Sequence, residues 1–126
     1  MPIRIAWPRG AVVADLADTP TARLLVARLP CSAQAQTWGE EVYFAVPVEA
    51  VLEPDARQVV EPGTVCFWVE GGCLALPFGR TPVSRGNECR LVAPVNVLGR
   101  LRGDPRALAS VRDGDPIRVE AHQPNG

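Results

Sequence analysis

Gln36-Thr37-Trp38-Gly39-Glu40-Glu41-Val42-Tyr43-Phe44 gathers three aromatic residues and two adjacent carboxylates into nine positions of a 126-residue chain whose aromatic content is 6%. Its flanks read as strands and Gly39 as the break between them, because glycine adopts backbone angles that a residue with a Cβ resists. Beyond the break, period-2 alternation sends Val42, Phe44 and Val46 to one face, the core, and Glu41, Tyr43 and Ala45 to the other. Two neighbouring carboxylates on a strand point apart, so at most one of Glu40 and Glu41 faces a site. Glu40 shares parity with Trp38 unless Gly39 shifts the count, and the same stretch also fits a barrel strand with a solvated Glu pair at its turn.

Working outward toward the N-terminus, Ile3, Ile5 and Trp7 alternate with polar or small residues, and after Pro8-Arg9-Gly10 the alternation resumes at Val12, Ala14 and Leu16, as in a hairpin. Asp18-Thr19-Pro20 supplies a cap and a proline for the first helical position, and Ala22, Leu25, Val26 and Leu29 follow at helical spacing until Pro30. On the C-terminal side, Ala45–Leu52 is extended but interrupted by Pro47, and a short Gln58–Val60 segment sits between turns. Thr64–Val69 and Cys73–Phe78 form a strand pair linked by Gly71-Gly72, and Ser84–Arg90 is the longest loop. A strand through Val95–Leu101 puts Asn96 opposite Val95 and Val97, which reads as solvent-facing. A short helix over Arg106–Arg112, a last strand at Ile117–Ala121 and a frayed tail from Gln123 to Gly126 complete the chain.

About eight short strands with two separated short helices predict a mainly β chain folded as a small closed barrel, with an open α+β sheet as the alternative. Residues 1–122 read as one domain and 123–126 as its tail, since a second core would leave each half too little apolar surface to bury. The formal net charge is −1 and no basic run occurs, which argues against nucleic acid or an anionic membrane surface as partner. No apolar run approaches the ~20 residues of a membrane span, and no signal peptide opens the chain, so the expected location is the cytoplasm. All thirteen basic residues are Arg, which removes Schiff-base and P-loop lysine chemistry. The single His, His122, excludes a zinc site or His-based triad of ordinary type, so no metal and no cofactor is expected. Cys31, Cys66, Cys73 and Cys89 read as free thiols, with Cys89, near Arg85 and Arg90, the one expected to react.

In this order of strands and helices the sequence resembles the cyclophilin-like fold, and more closely a family of small stand-alone prokaryotic cyclophilin-like proteins of unestablished function. Thr37–Phe44, Pro62-Gly63-Thr64-Val65 with Trp68, Phe78-Gly79-Arg80-Thr81-Pro82 and Val95–Arg100 carry the resemblance. It runs from about Ile3 to Glu120 and implies a bacterial barrel domain. The catalytic set of true cyclophilins is missing: no Arg or His stands in Gln36–Phe44, no Gln-Gly-Gly follows, and Ser84–Arg90 holds neither Trp nor His. Efficient peptidyl-prolyl isomerisation is therefore not expected.

The binding residues read from the sequence are Trp38, Glu40, Tyr43, Trp68, Phe78, Arg80 and Thr81. They would form an aromatic-lined groove for a small molecule or extended peptide, with Arg80 holding a carboxylate. Two other classes stay open. An enzyme would use Glu40 as a general base for hydrolase-type chemistry or weak isomerisation, and a structural module would simply present the barrel to a partner. Oligomeric state is not legible.

Overall fold

The computed structural model describes residues 1–123; residues 124–126, most of the tail read from the sequence, lie outside the described residues. The elements are β1 (Pro2–Trp7), β2 (Gly10–Leu16), α1 (Pro20–Val26), β3 (Cys31–Gln34), β4 (Gln36–Thr37), β5 (Glu41–Ala45), β6 (Arg57–Val60), β7 (Thr64–Trp68), β8 (Cys73–Pro77), β9 (Cys89–Leu101), a 3₁₀ helix over Pro105–Ser110, and β10 (Pro116–Ala121). Ten strands replace the expected eight or so because the central stretch divides at its glycine and the segment Cys31–Gln34 pairs as well. Among the described residues, no helix is long and apolar enough to cross a membrane.

The sheet runs β3-β10-β1-β2-β9-β7-β8-β5-β4, antiparallel throughout, with β6 paired to the first part of β9 off this path. The two ends of the path, β3 and β4, are halves of one extended segment separated only by Ala35. Its first half bonds to β10 and its second half to β5, so the chain itself brings the ends of the sheet together. Ala35 is tied down on both sides, donating its N–H to the Asp115 carbonyl and accepting from the Gly114 N–H, each at 2.8 Å.

Alternation then sorts the side chains into two clusters. Val42 and Phe44 of β5, Val65 and Phe67 of β7, Leu74 and Leu76 of β8 and Leu98 of β9 join Ile3, Ile5, Leu25 and Ile117 in the barrel interior. Each large apolar side chain buried this way contributes about 1.5–3 kcal/mol of transfer free energy. On the other face of the same strands, Cys66 and Ala75 meet Val60, Cys89, Leu91 and Val95, with Tyr43, Trp68 and Val97 packed at the margin. The ladder of β6 with the first half of β9 thus covers part of the barrel's outer wall.

Both helices start as their sequences dictate. Thr19 caps α1 by accepting from Ala22 N–H, and Asp104 caps the 3₁₀ helix by accepting from Arg106 N–H, each followed by a proline.

Asn96, expected to face solvent, is fully buried. A bulge between Val65 and Cys66 shifts the register of β9 against β7, and Asn96 points with Leu98 to the inner side. There its Nδ2 donates to Thr21 Oγ1 and to the Val51 carbonyl, both at 2.9 Å, and its Oδ1 accepts from Glu53 N–H at 2.7 Å. A buried amide is retained only when bonded in this way. Here it fastens the irregular stretch between β5 and β6, the extended piece that Pro47 interrupts, to α1 and β9.

Candidate functional site

The turn at Gly39 decides which carboxylate meets the aromatics. Trp38 N–H donates to the Glu41 carbonyl at 3.0 Å, closing a two-residue hairpin between β4 and β5. Gly39, first of the two loop residues, has φ +61°, while Glu40 keeps a negative φ, the pattern of a type II′ turn. Space demands glycine as well, since a Cβ there would lie 2.9 Å from the Arg80 carbonyl oxygen and 2.9 Å from Pro82 Cδ.

The hairpin tip is riveted to the chain leaving β8. Glu40 donates its N–H to the Arg80 carbonyl at 2.7 Å and accepts from Phe78 N–H at 2.8 Å. Its carboxylate accepts from Arg80 N–H at 3.2 Å and pairs with the guanidinium of Arg106, which lies over the Phe78 ring at 5.5 Å from its centre. The Arg106 guanidinium, and then the Arg80 N–H, hold the Glu40 carboxyl below the usual range.

Glu41, one residue on, points elsewhere. It shares a pocket of about 240 Å³ with Trp38, Tyr43 and Trp68, floored by Ala75, Leu91, Val92 and Val95. The Glu41 side chain is buried, and its Oε1 has no hydrogen-bond partner among the described residues. Loss of water around the charged form raises its pKa to about 7. Trp68 Nε1, on the same pocket wall, is also buried without a partner. The Trp68 ring lies flat against Gly71, where an added Cβ would come within 2.1 Å of Cε3. Tyr43 is anchored at its far end, its hydroxyl donating to Gln36 Oε1 at 3.1 Å.

Of the residues singled out in the sequence, the pocket brings together Trp38, Tyr43 and Trp68. Glu40 stands outside it in the ion pair with Arg106. Phe78 belongs to the barrel interior. Arg80 lies in the loop after β8, its guanidinium donating to the Ser84 carbonyl at 3.3 Å. Thr81 is buried, its hydroxyl bonded to the Arg90 carbonyl and its N–H to Ser84 Oγ at 3.0 Å. The Phe78–Pro82 run therefore braces the hairpin that presents Trp38 and Glu41. Glu41 is the residue the parity count from Trp38 passed over; its own alternation with Tyr43 along β5 was the signal that finds it.

Cys89, expected to be the reactive thiol, is buried, and burial pushes its pKa to about 11. All four cysteines are unpaired, and Cys31 is the least enclosed.

With this geometry in view, the cyclophilin-like family model matches residues 1–120. The chain belongs to the cyclophilin-like family. Among solved structures, this cyclophilin-like protein is similar to the hypothetical protein AF2241 from Archaeoglobus fulgidus. The identity is 33%, 97% of this chain and 95% of that one are covered, and the TM-score is 0.83. It shares its fold with McbB, solved in complex with tryptophan, at 17% identity and a TM-score of 0.64, where 98% of this chain covers 46% of that one. No curated protein matches it.

Proposed function

We propose that this cyclophilin-like protein is a small-molecule-binding domain whose site is the pocket walled by Trp38, Glu41, Tyr43 and Trp68. The observation that carries this reading is Glu41 Oε1, an acceptor buried without a partner at an aromatic cavity. Leaving such a group unpaired costs about 1–3 kcal/mol, a cost that a bound ligand removes. Apolar walls with a few convergent polar groups are the usual make-up of a ligand site. The volume fits a compact ligand better than an extended peptide. The structure of McbB in complex with tryptophan is compatible with a scaffold of this fold holding a small molecule.

Hydrolase-type chemistry based on Glu40 finds no support in the geometry, because that carboxylate is engaged by Arg106. Prolyl isomerisation fares no better, because among the described residues no arginine lines the pocket to polarise an imide carbonyl.

A thermal-shift screen against metabolites, followed by calorimetry, tests the reading. Hits should quench tryptophan fluorescence, and Trp68→Ala or Glu41→Leu should weaken them at least tenfold. Hits whose affinity survives both substitutions would place binding elsewhere.

A further inference from the structure

We infer that the ligand of this pocket carries a protonated amine on a compact apolar body, and that the amine pairs with the Glu41 carboxylate. This rests on the reading of the pocket as a binding site and names the class of molecule it takes.

The charge inventory around Glu41 supports it. Tyr43 stands beside it on β5, and the thiols of Cys66 on β7, Cys73 on β8 and Cys89 on β9 are the other titratable groups close enough to feel its charge. Burial raises the pKa of all three thiols, which keeps them neutral. Glu40 is turned away into its ion pair. No arginine lines the pocket, so the Glu41 carboxylate has no counter-ion there among the described residues.

Each ligand charge meets this site differently. An anion would face Glu41 with indole N–H groups but no cation to receive it. A neutral hydrocarbon would leave Oε1 unpartnered. An ammonium supplies both the missing donors and the missing charge, and the aromatic rings of Trp38, Tyr43 and Trp68 add the attraction of ring faces for a cation.

Pairing sets a proton balance. Below pH about 7 the free Glu41 is mostly protonated, and binding an ammonium sends that proton to solvent. Above pH about 7 no proton moves. Amine affinity should therefore rise through this range, and an alkylamine with a pKa near that of lysine, ~10.4, stays charged throughout.

Three probes sharing one ring separate the cases: 2-phenylethylamine, 2-phenylethanol and phenylacetate, titrated by calorimetry at pH 6 and pH 8 in buffers of different ionisation enthalpy. The expected result is amine binding at least tenfold tighter than alcohol at pH 8. Going from pH 8 to pH 6 should weaken the amine about tenfold, with close to one proton released at pH 6. Glu41→Gln should abolish both the amine preference and the proton release. Equal affinity for amine and alcohol, or a preference for phenylacetate, overturns the amine assignment and leaves the pocket as a binding site. Failure of all three to bind at millimolar concentration overturns the reading of the pocket itself.

Discussion

Glu40 and Glu41 are neighbours in the chain, yet their carboxyls are driven in opposite directions. Arg106 holds the Glu40 carboxyl below its usual range, and burial at an aromatic pocket raises the pKa of Glu41 to about 7. Environments that push two carboxyls apart create distinct roles from one residue type. In this protein one glutamate fixes the hairpin and the other faces the cavity.

Stability should report the state of Glu41 directly. Its pKa rises from 4.5 in the unfolded chain to about 7 in the folded one, so the folded state binds more protons between those values. Its contribution to stability is full below pH 4.5 and is lost as pH rises through about 7. The loss is at most about 3 kcal/mol. Chemical denaturation at pH 5 and pH 8 should show wild type losing ground relative to Glu41→Gln at the higher pH. Parallel pH profiles for the two proteins would contradict this.

Gly39→Ala combines a strained φ with a contact against the Arg80 carbonyl and Pro82. The expected cost is about 1–3 kcal/mol. Because Trp38 and Glu41 flank the turn, amine binding should fall along with the melting temperature. Unchanged affinity would show that the hairpin tip does not position the pocket.

Asn96→Leu removes three hydrogen bonds and leaves Glu53 N–H, Thr21 Oγ1 and the Val51 carbonyl short of a partner. At about 0.5–1.5 kcal/mol for each bond, the protein should lose about 1.5–4.5 kcal/mol. Hydrogen exchange should also quicken in the stretch between β5 and β6. A loss below 1 kcal/mol would mean water takes over the three groups.

Titration with a thiol reagent should find Cys31 first, with Cys66, Cys73 and Cys89 reacting on unfolding. Full labelling of the native protein at one rate would contradict the burial of the other three.

The barrel was legible because its strands alternate cleanly: Val42 and Phe44 inward, Tyr43 outward, Phe67 inward, Trp68 outward. The resemblance carried by Thr37–Phe44 and Phe78–Pro82 led to the same family that the full-chain match identifies. Parity failed where backbone geometry interrupts it. The positive φ of Gly39 breaks the count between Trp38 and the glutamates, so Glu41 and not Glu40 joins Trp38 at the pocket. Asn96 faces inward with Leu98 because Val95 and Val97 pack on the other face, in the second cluster. Gly39 marks the first of these in the sequence, while nothing local marks the second apolar cluster that takes up Val95 and Val97. Cys89 looked reactive because Arg85 and Arg90 are near it in the chain, but Glu88 takes the Arg90 guanidinium and the thiol itself packs against Cys66 and Leu91.

The segment that carries β3, Ala35 and β4 works as the clasp of a bracelet. Every other junction in the ring is a ladder that could slip and re-form, but this one is a single covalent thread shared by both ends. A few residues inserted at Ala35 would let β3 stay on β10 and β4 stay on β5 while the ring springs open between them. What remained would be a sheet with two raw edges, the form in which β proteins join edge to edge and precipitate. The clasp also ends at Thr37, directly before Trp38 begins the pocket wall, so whatever loosens the ring reaches the cavity.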